Sequence, residues 1–165
     1  MEPPMEKDAH PNFNGITLRM ATASDSISIW QWRNDDLTRA MSITTDTVSW
    51  ETHSKWYEHY LTNQNGCLYV GYLNDTERVG MCRFDIDSSI NSAEVSINLN
   101  PQYRGKHLSQ PLLSMAIGTF LAQHKVNLAA TIKNSNHSSI KCFSKCGFLV
   151  EREDRERIYF RRAHR

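Results

Sequence analysis

The sequence predicts one α/β domain (of the α+β kind) in which a mixed, mostly antiparallel central sheet is flanked by helices. Three observations carry that expectation. A β-rich hairpin and a third strand follow one another between Cys67 and Leu99; apolar residues recur at helical spacing before and after them; and the stretch Val95 to Leu108 runs from an alternating strand through a basic, glycine-containing turn into an apolar helix. At 165 residues the chain is long enough for one sizeable core and short for two.

Gly15–Met20 reads as an opening strand, and residues 1–14, polar and Pro-containing, as a disordered leader. Ser24 or Asp25 can cap a helix carrying Ile27, Ile29, Trp30 and Trp32 and ending near Arg33–Asp36. Ser49 starts a second helix with an aromatic stripe of His53, Trp56, Tyr57 and Tyr60. Cys67–Leu73 and Val79–Ile86 form an antiparallel hairpin about the turn 74–77, and Asn91–Leu99 extends it into a meander. There Val95, Ile97 and Leu99 share one face, while Glu94, Ser96 and Asn98 share the other and can line a cleft.

A long helix through Leu112, Leu113, Ala116 and Phe120 starts no earlier than about His107, because Pro111 is tolerated only near its first turn. Leu128–Ile132 then reads as a buried strand and Ser138–Lys145 as a helix stopped by a left-handed Gly147. Phe148–Val150 opens another strand, and Ile158–Arg161 forms the last, antiparallel to its neighbour. No repeat, linker or low-complexity segment divides residues 15–165.

Composition narrows the function classes. A net charge of +1 with 39% apolar residues gives no global reason for nucleic-acid or anionic-membrane binding, so a cationic site has to be local. The basic tail Arg161–Arg165 reads as a solvated end. No apolar run approaches the roughly 20 residues of a bilayer span, and the N-terminus lacks a signal-peptide core, which suggests a soluble, cytoplasmic protein. The cysteines, Cys67, Cys82, Cys142 and Cys146, have neither disulfide-scaffold density nor a CxxC spacing for zinc, and no metal is expected.

The strand–turn–helix at Val95–Leu108 is the strongest chemical signal. Backbone N–H groups of such a turn and of the first helical residues lack intrahelical partners, and the helix dipole adds positive charge, so the segment suits a phosphorylated ligand.

With that order of elements, Gln102-Tyr103-Arg104-Gly105-Lys106-His107 resembles the pyrophosphate-binding signature Q/R-x-x-G-x-G/A of the GNAT superfamily of acetyl-CoA-dependent N-acetyltransferases. His107 departs from it, standing where the pattern has a small residue, and Ser109 stands where relatives often carry another glycine. Asn136 to Phe148 is similar to the superfamily's N-x-x-S/A-x-x-x-Y/F-x-K-x-G-F block. The N-terminal half, with Trp30-Gln31-Trp32-Arg33-Asn34, Arg39, Ser42 and Val48 to Tyr57, resembles GNAT enzymes of bacterial nonulosonic-acid (pseudaminic and legionaminic acid) pathways, which acetylate an amino group on a nucleotide-linked deoxy-sugar.

The resemblance implies acetyl-CoA as co-substrate, held by Ile97 and Leu99 on the strand, by Gln102, Tyr103, Arg104, Gly105, Lys106, His107, Leu108 and Ser109 at the turn, and by Asn136, Ser139 and Phe143 behind it. It implies Glu94 as the base, acting through water, although a glutamate there is also an ordinary strand-edge carboxylate. Phe143 occupies the place of the usual tyrosine acid and has no proton to give; Tyr103, Ser139, Cys142 or a water are the alternatives. Trp30, Arg33, Arg39 and His53 are the candidate acceptor-binding residues, the cations meeting a diphosphate, though each alone also reads as a surface ion pair or cap. The expected acceptor is a small amine, in particular a nucleotide-linked amino sugar. Acetylation of protein N-termini, of the ribosomal-protein type, and a non-catalytic acyl-CoA-binding module are the alternatives. A homodimer stays open.

Overall fold

The computed structural model describes residues 15–165; the expected leader at 1–14 lies outside the described residues. Seven strands form one sheet in the order β1-β2-β3-β4-β5-β7-β6: β1 Ile16–Met20, β2 Gly66–Leu73, β3 Glu77–Asp87, β4 Ser92–Leu99, β5 Asn127–Lys133, β6 Leu149–Glu153 and β7 Arg157–Arg162. Every neighbouring pair is antiparallel except β4 and β5. The helices are α1 Ser26–Asn34, α2 Asp36–Met41, α3 Trp50–Thr62, α4 Ser109–Leu121 and α5 His137–Lys145.

Two apolar layers lie on opposite faces. On one, α4 buries Leu112, Leu113, Ala116 and Phe120 against Ile16, Val79, Phe84 and Val95, with Phe84 and Phe120 stacked at 4.2 Å. On the other, Ile29 and Trp32 of α1 and Tyr57 and Tyr60 of α3 cover Leu68, Val70, Tyr72 and Met81. Each such side chain contributes about 1.5–3 kcal/mol when fully buried.

The sequence reading ends the first helix near Asp36 and has nothing between there and Ser49. In the structure, Asp35 takes an extended ψ of 138°, which breaks the helix, and its side chain accepts from Thr38 N at 3.1 Å to cap the six-residue α2. Six residues are too few for apolar periodicity to register. Ser49 caps α3 as its sequence suggests, accepting from Thr52 N at 3.1 Å, and Gly147 stops α5 at φ +88°.

Candidate active site

The parallel pair β4–β5 is joined only through Ser92–Glu94 and Asn127–Ala129. Beyond those residues both strands continue, to Leu99 and Lys133, without pairing to each other, so the sheet opens along its middle. Asn100 N donates to Val79 O at 2.9 Å, which fixes the alternation along the β3–β4 ladder. Asn98 and Ser96 therefore bond towards β3, while the Val95 carbonyl and the main-chain N–H and C=O groups of Ile97 and Leu99 turn to the side where β5 has moved away. A cleft of about 670 Å³ occupies this opening.

The turn after β4 closes one end of the cleft. Asn100 caps a short 3₁₀ turn at Pro101–Tyr103 by accepting from Gln102 N at 3.1 Å. Gly105 follows at φ +73° and His107 at φ +58°. A Cβ at Gly105 would meet nothing within 4 Å, so the glycine is required for its left-handed backbone rather than for space. The same region of φ at His107 explains why a residue without a bulky side chain suits that place; histidine is one of the types that tolerates it, and its side chain is exposed. Leu108 stands at the N-cap of α4 with no side-chain cap, and the first intrahelical bond is Leu112 N to Leu108 O at 3.1 Å. The N–H groups of Ser109 and Gln110 thus have no intrahelical acceptor, and Pro111 has none to offer.

Of the residues assigned to acetyl-CoA, Ile97, Leu99, Arg104, Gly105, His107, Leu108, Ser109, Asn136, Ser139 and Phe143 line this cleft. Gln102, Tyr103 and Lys106 do not. Gln102 and Tyr103 border a separate depression with Ser28, Trp32 and Arg78, and the Lys106 ammonium sits 5.0 Å from the Tyr103 ring centroid. In the structure these three side chains lie outside the cleft lining, Gln102 and Tyr103 within the 3₁₀ turn and Lys106 beside the Tyr103 ring. Arg104 is turned inward, but its guanidinium is engaged by Asp35 and by Thr38 Oγ1 at 2.8 Å. Asn136 caps α5, accepting from Ser139 N at 3.2 Å. Phe143 is 2% exposed and packs edge-on against Phe148 at 5.0 Å.

On the face covered by α1–α3, Glu94, Ser96 and Asn98 stand opposite Asp85, Arg83 and Met81 of β3. Glu94 is half-buried, and burial raises its carboxyl above the usual range, with the Thr131 hydroxyl and backbone pulling partly the other way. Glu94 does not itself line the cleft; Ser96 and Thr131 beside it do.

The acceptor assignments separate. Arg33 lines the cleft. Arg39 does not: it pairs with Asp36 at 2.9 Å and donates to Thr45 O at 3.2 Å. Trp30 donates to Val48 O at 2.7 Å and meets Trp50 edge-on at 5.4 Å, away from the cleft. His53 is 4% exposed, with Nε2 3.1 Å from Ser26 Oγ and 3.0 Å from Ser26 O. Burial holds its ring below the ordinary histidine range. In the structure Trp30, Arg39 and His53 do not line this cleft; Trp30 is bonded to the segment before α3, Arg39 to Asp36 and Thr45, and His53 to Ser26 of α1.

Sequence reasoning missed Arg83, Thr131 and the segment Met41–Thr44, all of which line the cleft. For Arg83 a signal existed. The hairpin register places it across from Ser96, on the face already assigned to a cleft.

Among the described residues no group of three His, Cys, Asp or Glu side chains could hold a metal ion, and no helix is long and apolar enough to cross a membrane.

Comparison with known proteins agrees with this geometry. Residues 16–149 match the Acetyltransferase (GNAT) domain family. The chain is 28% identical over 153 residues to the SPbeta prophage-derived uncharacterized N-acetyltransferase YokL of Bacillus subtilis (strain 168), covering 90% of this chain and 84% of that one. Among solved structures, the spermidine N-acetyltransferase of Vibrio cholerae in complex with CoA and spermine superposes with a TM-score of 0.79 at 17% identity, over 89% of this chain and 93% of that one. The ribosomal-protein-S5-alanine acetyltransferase of Vibrio fischeri gives 0.76 at 16% identity, over 92% and 94%. The family match over most of the chain, and the sheet that opens between β4 and β5, identify the chain as an N-acetyltransferase of the GNAT family.

Proposed function

We propose that the chain acetylates the amino group of a small acceptor, a nucleotide-linked amino sugar, taking the acetyl group from acetyl-CoA by direct transfer in a ternary complex. The observation that carries this reading is the open edge of β4. Ile97 and Leu99 present free main-chain groups there, next to a turn with two left-handed residues and an uncapped helix N-terminus. An extended arm bearing amides can bond along the first, and a pyrophosphate can take up the N–H groups of the second.

The residues present fit acetyl-CoA. Gly105, His107 and the N–H groups of Ser109 and Gln110 would receive its phosphates, and the Val95–Leu99 edge its amide-bearing arm. Bound there, it supplies a thioester carbonyl for attack by the amine. An N–H of Ile97 or Leu99 would polarise that carbonyl. Glu94 accepts the ammonium proton through water; Thr131, which bonds its carboxyl, and Ser96 on the same strand face line the cleft. Attack forms the C–N bond and breaks the C–S bond; Phe143 has no proton for the departing thiolate, and Ser139 and Cys142, which also line the cleft, are the neighbouring donors.

The test is calorimetry with acetyl-CoA, followed by a CoA-release assay over amines that include nucleotide-linked amino sugars, free amino sugars, polyamines and N-terminal peptides. Binding with turnover on an amino sugar, reduced by Glu94→Gln, is the expected result. No heat with acetyl-CoA overturns the reading, turnover confined to peptides favours a protein N-terminal acetyltransferase, and binding without turnover on any amine favours a non-catalytic module.

A further inference from the structure

The charged side chains that line the cleft are all basic; no aspartate or glutamate is among them. Arg104 is neutralised by Asp35, and His107 belongs to the turn at the α4 end. Arg33 and Arg83 are different. They approach the cleft from the face covered by α1 and α3, across β4 from the uncapped N-terminus of α4.

Arg33 donates through Nη2 to Thr44 O at 2.8 Å, a neutral acceptor, while its Nη1 is buried without a hydrogen-bond partner. Burial, then Arg39 and Arg83, hold its guanidinium below the usual value, with Asp46 acting the other way. Arg83 pairs through Nε with Asp85 Oδ2 at 3.0 Å, a contact without hydrogen-bond alignment, and Asp85 also accepts from the Tyr60 hydroxyl at 2.8 Å. A guanidinium with a buried, unsatisfied N–H is costly unless an acceptor arrives to complete it. Arg33, with its unpartnered Nη1, and Arg83 beside it on one wall of a cleft whose lining includes no acid make a seat for an oxyanion.

We infer that Arg33 and Arg83 bind an anionic group of the acceptor, a phosphate or a carboxylate, so that the amine to be acetylated belongs to an anionic or zwitterionic molecule and not to a polyamine. The inference rests on the proposed acetyl transfer for the amine, and it moves the anion contacts from Arg39 and His53 to Arg83. Polycations are disfavoured because their second ammonium would face the guanidinium groups with no carboxylate in the cleft wall to receive it.

The test titrates inorganic pyrophosphate and, separately, succinate into the full chain saturated with acetyl-CoA, so that the turn before α4 is already filled. Saturable binding of one anion, weakened at least tenfold by Arg33→Gln and by Arg83→Gln and less by Arg33→Lys, is the expected result. Preference for pyrophosphate marks a phosphate-bearing acceptor, and preference for succinate a carboxylate. Should Arg33→Gln fail to fold, Arg83→Gln and Arg33→Lys carry the comparison. No saturable binding of either anion, equal binding in the folded variants, or spermidine acetylated as efficiently as anionic amines would overturn the inference. If acetyl-CoA itself does not bind, the acetyltransferase reading falls separately, and the same titrations into the free protein, wild type against the arginine variants, still decide the anion seat.

Discussion

Arg104, in the turn between β4 and α4, donates to the carboxylate of Asp35, the residue that ends α1 and caps α2. One carboxylate therefore ties the turn before α4 to the helices on the opposite face of the sheet. Arg104 is the chief reason that the Asp35 carboxyl lies below its ordinary range, with Thr38 adding to the effect.

Cutting that tie should loosen both ends. Asp35→Asn and Arg104→Gln are each expected to raise KM for acetyl-CoA by roughly 3- to 10-fold, with a smaller change in kcat, and to lower Tm by about 2–4 °C for each 1 kcal/mol lost. A double-mutant cycle should return about 1–2 kcal/mol of coupling. Because the Asp35 carboxyl is depressed, its contribution is complete above the unfolded-state value and disappears as pH falls through the folded one. Additive losses in the cycle would show that the two side chains do not act together.

His107 holds a left-handed backbone at φ +58°. Replacing it with glycine removes the Cβ strain but adds chain entropy to the unfolded state, so His107→Gly should change stability by no more than about 1 kcal/mol and leave acetyl-CoA binding intact. His107→Val should cost about 1–2 kcal/mol and weaken binding, because a β-branched residue fits this region of φ poorly. Chemical denaturation and calorimetry on the two variants separate these outcomes; a valine variant as stable as wild type would contradict the account.

The raised carboxyl of Glu94 has opposite consequences for activity and stability. As a base it works only when ionised, so kcat/KM should climb with pH through an acidic limb set above the ordinary glutamate range, and Glu94→Gln should lower the rate by roughly 10²–10⁴-fold and remove that limb. A carboxyl whose folded value lies above its unfolded one favours the native state when protonated, and that stabilisation fades as pH rises through the folded value. Glu94→Gln is therefore expected to raise Tm at pH 7 by roughly 1–3 °C. A variant that loses both activity and stability would point to a structural role.

His53 gives the converse case. Its ring is kept neutral by burial beside Ser26, so its folded value lies below the unfolded one, and stability should be lost as pH falls below the ordinary histidine value. His53→Gln should reduce that acid sensitivity and shift Tm while leaving the acceptor KM within about twofold at pH 7.5. A large KM change with an unaltered melting curve would return His53 to the acceptor site.

Most of the architecture was legible because it rests on local signals. The hairpin turn at 74–77, the Ser49 cap, Pro111 near the start of α4 and Gly147 at φ +88° all act within a few residues of where they stand. The order of strands and the glycine-containing turn were likewise enough to suggest the family. What escaped was set by direction and by distance along the chain. Gln102 and Tyr103 belong to the turn yet border a separate depression, where the cap at Asn100 tightens the chain into a 3₁₀ turn, and Lys106 lies beside the Tyr103 ring. His53 and Trp30 look like ligand contacts in a linear pattern, but their partners, Ser26 and Val48, become neighbours only when α1 and α3 pack. Arg83 was overlooked because nothing in its own strand marks it; its place depends on register with Ser96 and on β5 diverging from β4.

The opening between β4 and β5 also divides the site by how it would tolerate mutation. On the α4 side recognition would fall mainly to main-chain N–H groups, which every residue but proline carries, so any side chain that accepts the local φ preserves the interaction. On the opposite wall it depends on the guanidinium groups of Arg33 and Arg83, for which no other side chain is equivalent. A saturation scan scored by acetyl transfer should accordingly be permissive at Ile97 and Ser109, restricted at His107 to residues that accept its left-handed φ, and intolerant at the two arginines, so that drift in this enzyme would alter which amine it accepts long before it altered which acyl donor it uses.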